Sequence, residues 1–107
     1  MKNDVETGSG NVFADIGLLD AGQELLKARL ILQVRRVILS RKLTQAAAAN
    51  LLGTTQPQVS GLMRLRPTSL SVGRLIEFLT ILGQDIEVKV TPASSNRSGR
   101  VVVNAAA

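Results

Sequence analysis

Three observations predict a mainly α fold of four to five packed helices carrying a helix-turn-helix, followed by one C-terminal β-strand. Leucine, isoleucine and valine recur at helical spacing from about residue 20 to residue 82, while the only aromatics are Phe13 and Phe78. Residues 43–66 hold two short helical segments with a glycine between them. At residues 85–90 the apolar period changes from near 3.6 to 2. At 107 residues the chain suits one domain with one helical core. The expected division is a flexible arm (1–17), a helix-turn-helix domain (18–83), a dimerisation strand (84–92) and a disordered tail (93–107).

The first helix is expected over residues 20–41, with Asp20 as its cap and Glu24 early, where a negative charge suits the helix dipole. Leu26, Leu30, Val34, Val37 and Ile38 form its buried stripe, and Arg29, Gln33, Arg36 and Ser40 the wet face. The second helix is expected over 45–52. Thr44 caps it by accepting an orphan backbone N–H, and Gly53 ends it where a left-handed conformation is wanted. Of its four alanines, Ala48 and Ala49 read as packing positions and Ala46 and Ala47 as helix formers.

The third helix, 56–63, takes Thr55 as cap and Pro57 in its first turn, where a missing N–H costs nothing. Two such helices on a tight turn make a helix-turn-helix. Pro67 then pushes Arg66 out of helical space. Ser71 caps a fourth helix through Leu82, with Val72, Leu75, Ile76, Leu79 and Leu82 inward, and Gly83 ends it.

Ile86, Val88 and Val90 alternate with Asp85, Glu87 and Lys89 in the expected strand. A lone strand is unstable, so it needs a partner. Pairing with a second copy about a two-fold at Val88 would set Glu87 against Lys89 of that copy, a favourable cross-strand pair, and is preferred. A hairpin with Arg100, Val101, Val102 and Val103 is the alternative.

Charge points to a partner. The net charge is +5, and no acid lies between Leu25 and Ile76, a window holding Lys27, Arg29, Arg35, Arg36, Arg41, Lys42, Arg64, Arg66 and Arg74. A positive field centred on a helix-turn-helix is the footprint of phosphate binding. The poverty of aromatics argues against base-stacking readers of RNA or single strands. Cysteine and histidine are both absent, which removes disulfides, zinc sites with nitrogen or sulfur ligands and the usual general base. The carboxylates are scattered at the two ends, so no enzyme, metal or cofactor is expected. No apolar run approaches the ~20 residues of a membrane span. The first residues lack the apolar core of a signal peptide, so the expected location is the cytoplasm.

Within the helix-turn-helix, the N-terminal residues of the third helix are expected to face base edges in the major groove. Gln56 comes first, since a glutamine bonds adenine N6 and N7 together, then Gln58 and Ser60, while Pro57 can touch a thymine methyl. Val59 and Leu62 turn back toward the second helix. Thr44, Gln45 and Thr55 sit at helix starts, which suit phosphate, and Arg64 and Arg66 read as phosphate clamps.

The run Leu43 to Ser60 resembles the Xre/Cro-type helix-turn-helix of phage repressors, with a lambda-repressor-like fold. Residues 11–90 resemble HigA-type antitoxins and the prophage transcriptional regulators related to them. The residues that carry this are Asn11-Val12-Phe13-Ala14-Asp15-Ile16-Gly17, Arg35-Arg36-Val37-Ile38, Leu43-Thr44-Gln45, Gln56-Pro57-Gln58-Val59-Ser60, then Leu70-Ser71 through Phe78-Leu79 to Leu82-Gly83-Gln84-Asp85-Ile86-Glu87-Val88. The resemblance implies a homodimeric repressor on an inverted repeat of double-stranded DNA in its own promoter, paired with a RelE-like ribonuclease toxin. A phage-type repressor without a toxin is the alternative it leaves. Ala47 stands where that family usually has Glu, so the capping box with Thr44 is incomplete. Val12, Phe13 and Ile16 either cover the helical core or form part of a partner-binding surface.

Overall fold

A computed structural model describes residues 20–94 and 98–105, with side chains described from Glu24 onward. Asp20 is the first residue of the first helix, but its side chain, and with it the expected cap, is not described, and Val12, Phe13 and Ile16 lie outside the described residues. Four helices are present among the described residues: α1 (Asp20–Ser40), α2 (Gln45–Leu52), α3 (Gln56–Met63) and α4 (Val72–Ile81). Helix α1 packs on α4 and α3, and α2 packs on α3 and α4.

Local chemistry sets each helix start. Thr44, Thr55 and Ser71 are extended residues whose hydroxyls accept from the backbone N–H of Ala47, Gln58 and Arg74, so each satisfies one donor that the helix cannot. Thr44 makes its half of the capping box alone, since Ala47 has no side chain to reach back.

The helix ends share one device. After α1, Lys42 N–H donates to Leu39 and Leu43 N–H to Ile38; after α2, Gly53 to Asn50 and Thr54 to Ala49. After α3, Leu65 donates to Leu62 and Arg66 to Gly61; after α4, Gly83 to Thr80 and Gln84 to Leu79. These paired bonds are Schellman motifs, which need a left-handed residue just past the helix. Gly53 (φ 68°) and Gly83 (φ 87°) supply it twice, as the sequence predicts. Lys42 (φ 56°) and Leu65 (φ 57°) supply it at the other two ends, against the steric preference of a residue with a Cβ.

The core joins the expected stripe of α1, with Ile31 added, to Ala48, Ala49 and Leu52 of α2, Val59 and Leu62 of α3, and Val72, Leu75, Phe78, Leu79 and Leu82 around α4. Ile76 is only half-buried, whereas Phe78, not among the expected inward residues, is completely enclosed. Ala46 and Ala47 are exposed and Ala48 and Ala49 buried, as expected.

The expected C-terminal strand is not formed. Residues 84–92 have no regular secondary structure, and no strand occurs among the described residues. The physical reason is the missing ladder: an extended segment becomes a strand only against another, and residues 100–103 do not pair with it. Instead, Val101 and Val103 are half-buried against the helical core, which ties down part of a segment expected to run free.

Candidate nucleic-acid interface

The two short helices of the helix-turn-helix meet through small and branched apolar residues. Ala48, Val59 and Leu62 are fully buried and Ala49 nearly so, which leaves the remaining faces of α2 and α3 outward. Gln56 and Pro57 at the start of α3 are exposed, and Gln58, Ser60 and Gly61 are partly so. Thr44 and Thr55 are exposed at their helix starts, and Gln45 is half-buried. Neither α2 nor α3 has an acid in its first turn, so the positive end of each helix dipole is uncompensated. Arg64 closes α3 as its C-cap, and it and Arg66 are both exposed. The predicted site residues thus lie at two helix starts, along α3 and at its end.

Beside α3 lies a shallow pocket of about 340 Å³, lined by Pro57, Gln58, Ser60, Gly61, Arg66 and Thr68 among others. A Cβ added at Gly61 would meet nothing within 4 Å, so space alone does not require glycine there.

Three arginines of the acid-free window bond helix ends, two of them within the motif. Arg35 Nε of α1 donates to Met63 O at 2.9 Å and so caps the C-terminus of α3. Arg41 Nη1 donates to Leu82 O at 3.3 Å, past the end of α4. Arg74 of α4 is the most engaged. Its Nη2 donates to Leu52 O at 3.3 Å and Gly53 O at 3.1 Å, at the end of α2 and in the turn itself. Its Nη1 pairs with Glu77 at 2.7 Å, and its guanidinium lies 4.7 Å from the Phe78 ring centre. A cation at a helix C-terminus also meets the negative end of the dipole. In sequence all nine cations form one field, but these three are committed to main-chain carbonyls. Lys27, Arg29, Arg36, Lys42, Arg64 and Arg66 reach no helix end among the described residues.

The geometry has counterparts among known proteins. A family model described as "Helix-turn-helix domain" matches residues 12–91. A solved structure named "Putative XRE Family Transcriptional Regulator" is 38% identical, with a TM-score of 0.76, over 82% of this chain and 100% of that one. No curated protein matches. No helix among the described residues is long and apolar enough to cross a membrane. With a family model over most of the chain and an XRE-family structure covered throughout, the chain belongs to the XRE-type helix-turn-helix family.

Proposed function

We propose that the protein is a DNA-binding transcriptional regulator that reads an inverted-repeat operator as a homodimer and represses its own operon. The observation that carries this is the exposed start of α3, where Gln56, Pro57 and Gln58 stand on a helix fixed from beneath by Val59 and Leu62. In the major groove Gln56 and Gln58 hydrogen-bond base edges, Pro57 packs on a thymine methyl, and Ser60 supplies a further polar contact. Thr44, Gln45 and Thr55 at the helix starts, with Arg64 and Arg66, take phosphates and set register.

Dimerisation falls to residues 84–92. Ile86, Val88 and Val90 are 39%, 80% and 90% exposed, an expensive arrangement for branched apolar side chains in an isolated chain. Antiparallel pairing with a second copy would give those residues a neighbour and the backbone a ladder. Two recognition helices about 34 Å apart would then meet successive major grooves.

The resemblance to HigA-type antitoxins supports a second role for the same protein, neutralising a RelE-like toxin encoded beside it. Co-purification with the product of such a neighbouring reading frame tests this role; a neighbour that neither binds nor is neutralised contradicts it. For the DNA-binding role, footprinting of the promoter is expected to show two protected half-sites, with affinity falling steeply as salt rises. Protection without any half-site pattern would overturn it.

A further inference from the structure

Arg74 sits where one side chain can govern how the two helices of the motif are set against each other. Its main chain is fixed first, since its N–H donates to the hydroxyl of the Ser71 cap at 3.0 Å. Its guanidinium is then fixed from the same helix. Nη1 pairs with Glu77 at 2.7 Å, and the group lies over the ring of Phe78, which is completely enclosed. So held, Nη2 reaches 21 to 22 residues back to the carbonyls of Gly53 and Leu52, at 3.1 and 3.3 Å. Leu52 ends α2, where carbonyls lack a donor within the helix, and Gly53 leads through Thr54 to Thr55, the cap of α3. One planar fork thus ties α4 to the last turn of α2 and to the link that launches α3.

We propose that Arg74 is a positioning residue for sequence reading: it sets the angle of α3 to α2, and with it the placement of Gln56 and Gln58 against base edges, without itself touching DNA. This role rests on the DNA-reading function proposed above, and it assigns part of the specificity to a residue outside the reading helix. The physical reason is a difference in tolerance. Hydrogen bonds to base edges need their partners held within about 0.5 Å, whereas long basic side chains follow a phosphate over a wider range. A loosened turn therefore weakens base reading and leaves phosphate contacts largely as they were. Gln56 follows Gly53 closely in the chain, so little main chain lies between them to absorb a movement of the turn. Lysine cannot replace Arg74 here. Its compact ammonium lacks the fork that spans two carbonyls, a carboxylate and a ring face.

Two DNA duplexes test this: one enriched by the wild type from a random-sequence library, and one of the same composition scrambled. Affinities for both are measured with the wild type, Arg74→Lys and Glu77→Gln, well below the Tm of each. Arg74→Lys keeps the charge. It is expected to lower the ratio of specific to non-specific affinity about tenfold, the scale of one bidentate base contact, with non-specific affinity and its salt dependence unchanged. Glu77→Gln separates positioning from charge, and its site is exposed, so the fold survives the change. Charge alone would tighten binding to both duplexes; with Arg74 freed of its anchor, the ratio is expected to fall instead. Equal losses on both duplexes, as a phosphate contact or a merely weakened fold would give, overturn the inference. So does an unchanged ratio in Arg74→Lys. Failure of the wild type to enrich any sequence contradicts DNA reading itself and takes this role with it.

Discussion

The helix-turn-helix and the segment 84–92 are both rich in branched apolar residues, yet one is fully folded and the other has no regular structure. In the first, helix ends find partners within a few residues or on a neighbouring helix, through Thr44, Thr55, Gly53, and the arginines 35 and 74. In the second, Val88 and Val90 face water and the backbone forms no ladder. The difference is one of range. Helices complete most of their hydrogen bonds within themselves, whereas a strand depends on another segment, which for residues 84–92 is proposed to be a second copy.

The sharpest way to break the folded half is Leu62→Ala. Leu62 is fully buried under the recognition helix, and its truncation should cost about 2–5 kcal/mol of stability, read by urea unfolding. Gln56→Ala separates reading from folding. Operator affinity should fall by about 1–3 kcal/mol in a titration while Tm is unchanged, because the side chain is exposed at the start of α3. Gly61→Ala divides the two properties in the opposite sense. Removing a helical glycine from open space should stabilise the fold by about 0.5–1 kcal/mol. If DNA approaches closely at this face, affinity should drop at the same time. The smallest effect on the fold is expected in the other half. Val88→Ser with Val90→Ser should change monomer stability by less than ~0.5 kcal/mol, yet shift sedimentation toward monomer.

That contrast also explains what the sequence reveals. Thr44, Gly53, Thr55, Pro57, Ser71 and Gly83 act within one turn of themselves, so the bounds of α2, α3 and α4 are legible from short stretches. Lys42 and Leu65 end their helices in the same way but lack glycine's signature. Arg35, Arg41 and Arg74 donate to carbonyls that are 28, 41 and 21 to 22 residues distant. No local pattern distinguishes such an arginine from one reserved for phosphate. Ile31 and Phe78 are buried by neighbours on other helices, beyond the stripes read from α1 and α4 alone. Alternation at residues 85–90 gives the face of each residue and leaves its partner open.

For the candidate site, residue type and helix position were legible, and the supports beneath them were not. Gln56, Pro57 and Gln58 stand on α3 where the caps put them. The clamp of Arg74 on the turn and of Arg35 on the far end of α3 appears only once the helices are packed.

The most direct test of the central claim is a hydroxyl-radical footprint on the protein's own promoter, run with the wild type and with Gln56→Ala. Two protected half-sites about one helical turn apart, ~34 Å centre to centre, are expected for the wild type, with loss of that pattern at equal concentration for the variant. Uniform protection that is the same for both proteins would contradict sequence reading by α3.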